Sequence, residues 1–85
     1  MLWNVTPSAW DDLRMKNRVT TMLGIEIPIV QAPMGWIARS ALASAVSNAG
    51  AMGIIETSSG ELDNIRIEIA AMKDLTDKPF GVNIA

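Results

Sequence analysis

Three places in this 85-residue chain carry side chains or backbone able to do chemistry. The first is Asn83, a carboxamide set in the otherwise apolar run from Pro79 to Ala85. Burying an amide costs free energy unless it finds a hydrogen-bond partner. Asn83 therefore reads either as an amide bonding a neighbouring strand or as one facing a ligand. The second is Gln31, Ala32, Pro33, Met34, Gly35 and Trp36. There an apolar run meets a proline that fixes the backbone, and Gly35 then permits close approach of a flat ligand. The plainer reading of this stretch is a strand-to-helix turn, with Trp36 packing rather than covering a ligand. The third is the polar stretch from Glu56 to Gly60 ahead of a helix start, whose plainer reading is helix capping.

What is missing narrows the chemistry further. The chain has no histidine and no cysteine. The commonest general acid or base, the usual metal ligand, thiolate zinc sites and disulfides are all absent from it. No catalytic residue and no metal site is expected. Gly50, Gly53 and Gly60 do not form a G-x-G-x-x-G fingerprint after a strand, and no lysine-bearing phosphate loop is present. A nucleotide phosphate would have to be gripped by residues outside this sequence.

The elements that position these groups alternate in period. Pro28 to Ala32, Ala51 to Ile55 and Phe80 to Ile84 are short apolar runs bounded by Gly or Pro, the pattern of buried strands. Between the first two, apolar residues at Ala38, Ala41, Leu42, Ala45, Val46 and Ala49 predict a helix with a small-residue face, stopped at Asn48 to Gly50. Between the second and third, Ser58 and Glu61 have capping-box spacing, and Leu62, Ile65, Ile69 and Met72 form one stripe. Asp74 to Lys78 reads as the turn into the third strand. Strand, helix, strand, helix, strand implies an α/β fold with parallel pairing through crossovers, either an open doubly wound sheet or an eightfold barrel. Strand starts spaced by roughly 25 residues suit a barrel of about 200 residues or more, so the sequence reads as the front of one. Ligands of such sheets bind beyond the carboxyl ends of the strands, where the three candidate places fall.

The first 17 residues have a different character and are read as an N-terminal extension, with residues 18–85 as the barrel segment. Pro7 to Asp11 has a helix-start pattern, and Arg18 to Leu23 reads as a helical turn closed by Gly24. That lead-in either plugs the bottom of the barrel or, from Met1 to Arg14, is an addition ahead of a working start at Met15. A chain of this length removes only about 60% of its unfolded surface from water, which predicts reliance on packing against a partner or further chain. Seven basic and nine acidic residues, net charge -2, give no basic stripe for nucleic acid. No apolar run approaches the roughly 20 residues of a membrane span, and the start lacks the pattern of a secretory signal. A cytoplasmic location follows as the expectation.

Three motifs in order carry a resemblance: PIVQAPMGW from Pro28, LASAVSNAGAMGII from Leu42, and DKPFGVNI from Asp77. Together, over about Arg18 to Ala85, they resemble the start of the nitronate monooxygenase family, also called 2-nitropropane dioxygenases, relatives of flavin-dependent enoyl-acyl-carrier-protein reductases. The resemblance implies an FMN-binding TIM (β/α)8 barrel, incomplete in this chain. It implies that Ala32, Pro33, Met34 and Gly35 lie against the flavin ring and that Asn83 hydrogen-bonds it. It implies oxidation of an alkyl nitronate by O2 to a carbonyl compound and nitrite, with a histidine that serves as the base or substrate-orienting group in many members and that this chain does not contain. Ala51-Met52 departs slightly from the family's usual Gly-Leu or Gly-Met. Two alternatives stay open: flavin-dependent enoyl-acyl-carrier-protein reduction, and an inactive fragment or a piece that assembles on the rest of a barrel or on its own copies.

Overall fold

The computed structural model describes residues 16–57 and 61–84. In chain order these form α1 (Arg18–Leu23), α2 (Ser40–Asn48), β1 (Gly53–Ile55), α3 (Leu62–Leu75) and β2 (Phe80–Val82). The extension up to Met15 and the Ser58 half of the expected capping box lie outside the described residues.

A reciprocal cap starts α1. The Asn17 side chain accepts from the Thr20 amide at 2.9 Å, and the Thr20 hydroxyl accepts from the Asn17 amide at 2.9 Å. Gly24 closes the helix in the left-handed region (φ 69°), as its position after Leu23 predicts. The chain then crosses to Gly50, whose carbonyl accepts from the amides of Glu26 and Ile27 at 2.9 and 3.0 Å.

β1 and β2 pair in parallel with Gly53 opposite Phe80, Ile54 opposite Gly81 and Ile55 opposite Val82. On the other side of β1 the expected strand from Pro28 to Ala32 shrinks to one parallel bridge, Val30 to Met52. Its two bonds run from the Met52 amide to the Ile29 carbonyl (3.0 Å) and from the Gln31 amide to the Met52 carbonyl (2.9 Å). The cause lies in the next rung. In a parallel ladder the residue at position 33 would donate to the Ile54 carbonyl, but Pro33 has no N–H. The Gln31 side chain takes that place: its Nε2 donates to the Ile54 carbonyl at 3.1 Å, and its Oε1 accepts from the Ile54 amide at 3.2 Å.

α2 packs on β1, β2 and α3. Ala43, Ile55 and Met72 form the buried core, with Ile69 and Phe80 against it. The buried side of α2 is Ala43, Ser44 and Ser47, whereas Ala41, Ala45 and Ala49 of the expected small-residue face are exposed. Polar residues occupy the inner side because they have work there: the buried Ser47 hydroxyl accepts from the Gly53 amide at 3.1 Å. On α3, Ile65, Ile69 and Met72 turn inward as the stripe predicts, but Leu62 is 63% exposed.

Side chains bind the two helices at both ends. Arg39 at the amino end of α2 supplies no side-chain cap, and Glu68 of α3 accepts from the Ser40 amide at 3.0 Å instead. That hydrogen bonding to Ser40, together with the nearby Arg39 charge, outweighs burial and holds the Glu68 carboxyl below its ordinary value. At the other end, Asn48 of α2 donates from Nδ2 to the Leu75 carbonyl at 3.1 Å and accepts from the Thr76 hydroxyl through Oδ1. α3 therefore runs on through Asp74 and Leu75, residues expected in the turn, because Asn48 satisfies a carbonyl its last turn would leave orphaned. Among the described residues no helix is long and apolar enough to cross a membrane.

Candidate functional site

Parallel pairing brings the carboxyl ends of the bridge segment, β1 and β2 to one edge of the sheet. Ala32 to Gly35 leave the sheet there, Glu56 and Thr57 follow β1, and Asn83 follows β2. Backbone and side-chain bonds lash these ends together. The Asn83 amide donates to the Ile55 carbonyl at 2.8 Å, and the Thr57 hydroxyl donates to the Asn83 carbonyl. The Glu56 amide donates to the Ala38 carbonyl at 2.8 Å, tying the end of β1 to the lead-in of α2. Asn83 thus aligns through its main chain. Its half-buried carboxamide has no hydrogen-bond partner among the described residues, unlike an amide engaged in bonding a neighbouring strand.

The loop after the bridge is shaped by the Met34 carbonyl, which accepts from the amides of Ile37 (3.2 Å) and Ala38 (2.9 Å). Ala32, Pro33 and Gly35 are exposed and Met34 is half-buried. Among the described residues no bond engages the amides of Ala32, Met34 or Gly35, so this stretch offers three free donors along one short path. The sharp feature of the loop falls on Trp36 rather than Gly35. Trp36 adopts φ 64°, a left-handed conformation uncommon for a bulky residue. Its ring is 74% exposed, and the Arg39 guanidinium carbon stands 5.0 Å from the ring centre. Arg39 Nε is buried without a partner.

Of the third candidate stretch, Glu56 and Thr57 are described. Glu56 is only 4% exposed, so it is a buried member of the strand end rather than part of a solvated loop. Reasoning from sequence overlooked the Gln31 side chain and the Thr57 hydroxyl. A proline two residues after a glutamine at a strand end is the signal that would have found the first. Among the described residues there is no group of three or more His, Cys, Asp or Glu that could hold a metal ion.

A family model for nitronate monooxygenase matches residues 16–85. The chain belongs to the nitronate monooxygenase family. A nitronate monooxygenase of Pseudomonas aeruginosa is 47% identical over 70 residues, covering 82% of this chain and 20% of that protein. A relative from Mycobacterium tuberculosis named (3aS,4S,5R,7aS)-5-hydroxy-7a-methyl-1-oxo-octahydro-1H-indene-4-carboxyl-CoA dehydrogenase is 46% identical over 72 residues, covering 85% of this chain and 20% of that protein. Among solved structures, FabK from Thermotoga maritima superposes with a TM-score of 0.79 at 46% identity, over 82% of this chain and 22% of that one. The chain thus spans about a fifth of the length of these members and relatives of the nitronate monooxygenase family.

Proposed function

We propose that this chain supplies the flavin-facing strand ends of an FMN-dependent (β/α)8-barrel oxidoreductase. The observation that carries the reading is the free donors of Ala32, Met34 and Gly35 on one side of β1 and the unpartnered carboxamide of Asn83 on the other, at the carboxyl ends of parallel strands. A flat, acceptor-rich ring fits such a set: exposed backbone gives it a platform, and amides and a carboxamide answer its carbonyl oxygens and ring nitrogens. Ala32, Pro33, Met34 and Gly35 would hold the ring and Asn83 would bond its edge. FMN would supply the electron chemistry; these residues bind and orient the ring.

For the whole protein we favour oxidation of alkyl nitronates with O2 to carbonyl compounds and nitrite, which the family match supports. A second reading, oxidoreduction of a thioester-bound substrate, is supported by the near-equal identity of the carboxyl-CoA dehydrogenase relative and by the likeness to FabK. Neither the base nor the phosphate grip lies in this sequence, so both activities require further chain. The test is to purify the protein that carries this chain from its natural reading frame, record flavin absorbance, and assay nitrite release from an alkyl nitronate under air. Bound FMN with nitrite release is the expected result. Bound FMN with turnover of an acyl-CoA and no nitrite would select the second reading, and absence of flavin would overturn both.

A further inference from the structure

We propose that Gln31 is a positioning residue for the flavin platform, acting as one device with Pro33; this rests on the flavin reading of Ala32 to Gly35. A regular parallel ladder would continue past the Val30 to Met52 bridge by pairing the Gln31 carbonyl with the Ile54 amide and the residue 33 amide with the Ile54 carbonyl. Pro33 cannot make the second of these bonds. The Gln31 carboxamide makes both connections itself, accepting from the Ile54 amide at 3.2 Å and donating to its carbonyl at 3.1 Å. It also donates to the Ala32 carbonyl. One side chain therefore closes the sheet edge while the main chain departs.

The consequence is functional rather than only structural. Were the ladder to continue through its backbone, the Gln31 carbonyl and the amides of residues 33 and 35 would be the groups directed at β1, while the amides of Ala32 and Met34 would point away from it. With the carboxamide standing in, the main chain leaves the ladder after Gln31, and the Gly35 amide joins those of Ala32 and Met34 as an unbonded donor. A strand end built this way keeps the order of a sheet edge and the exposed amides of a loop, which suits a preorganised platform. The carbonyl of Ala32 is meanwhile held by Gln31 and takes no part in ligand contact.

The test compares Gln31→Leu, Gln31→Glu and Pro33→Ala, singly and combined, in the protein carrying the chain. Two readouts are used: hydrogen exchange of the Ile54 amide before flavin is added, and FMN titration followed by the absorbance of the bound flavin. In Gln31→Leu we expect faster exchange at Ile54 but not at Asn83, whose amide bonds Ile55. FMN binding should weaken roughly tenfold, the size of one or two lost hydrogen bonds, with a shifted flavin band. Gln31→Glu keeps the acceptor and loses both donor bonds, so it should retain part of the Ile54 protection and still bind FMN more weakly. Combining Pro33→Ala with Gln31→Leu should let the backbone ladder continue, with the residue 33 amide donating to the Ile54 carbonyl and the residue 31 carbonyl accepting from the Ile54 amide, and so restore Ile54 protection without restoring FMN affinity. Unchanged Ile54 exchange in Gln31→Leu, or unchanged FMN affinity and band once Ile54 is exposed, would overturn the role of Gln31. Wild-type protein that takes up no FMN would overturn the flavin reading itself.

Discussion

A Cβ built on Gly53 would stand 2.0 Å from the carbonyl oxygen of Ala43, so the α2 backbone rests directly on the β1 backbone. No side chain fits between them. The Gly53 amide is taken by Ser47 of the same helix, so contact and hydrogen bond come from one face. Gly53→Ala must push the helix off the strand. Overpacking against side chains costs about 1 to 3 kcal/mol, and a clash with fixed backbone exceeds that range. Against about 0.1 kcal/mol of stability per residue for a small domain, the expected outcome is loss of the cooperative unfolding transition in circular dichroism. A melting curve like that of the parent would contradict this packing.

Asn48→Ala should shorten α3 from its carboxyl end. The variant leaves the Leu75 carbonyl and the Thr76 hydroxyl without their partner, an effect of about 1 to 3 kcal/mol. Chemical denaturation measures the loss, and amide exchange at Thr76, which bonds the Met72 carbonyl, shows where it falls. Uniform loss of protection across α2 and α3 would instead mean that Asn48 holds the whole pair together.

Glu68 gives a pH dependence with a definite sign. Its carboxyl is held below the ordinary value of 4.5, so its contribution is fully present above that value and is lost as pH falls through the lowered one. Stability should decline over that acid window, and Glu68→Gln should flatten the decline by removing the titrating charge. Denaturation midpoints collected from neutral to acid pH test this, and parallel curves for the two proteins would refute it.

Asn83→Ala should leave folding intact, because the main chain of Asn83 makes the sheet contact. In the flavin reading it should weaken FMN retention by about 1 to 3 kcal/mol, one or two hydrogen bonds. Gly35→Val should reduce flavin uptake more than it lowers the melting temperature, since Gly35 is exposed and lies outside the core. Equal loss of both in Gly35→Val would reduce the loop to a plain turn.

The order of strands and helices is legible because period distinguishes them: β1, β2 and α2 fall within the runs that spacing marks, and α3 overruns its stripe only at Asp74 and Leu75. Rotation of α2 was not. Alternation of Ala and Ser makes several faces equally small, and tertiary needs decided among them, with Ala43 against Gly53 and Ser47 on its amide. The strand from Pro28 to Ala32 was overread for a similar reason. Its apolar residues suit a strand, but Pro33 denies the next rung, and a glutamine substituting for a rung leaves no periodic trace. Asn83 and Ala32 to Gly35 stood out because a polar residue in an apolar run and a Pro-x-Gly break are local signals. The left-handed turn at Trp36 is not a local signal, since composition would have put it on Gly35.

The bonds of Asn48 close the end of α3 at Thr76, from which the chain turns into β2 and on to Asn83. β2 has three residues, aligned with β1 so that Gly53 faces Phe80, Ile54 faces Gly81 and Ile55 faces Val82. A shift of one residue in that alignment would turn every side chain of the strand to its opposite face. Ile84 or Val82 would then stand in the place of Asn83. The register itself is held by the β1 to β2 pairing and by the bonds of Asn83 to Ile55 and Thr57, so the polar contact at that place depends on a ladder of only three residues.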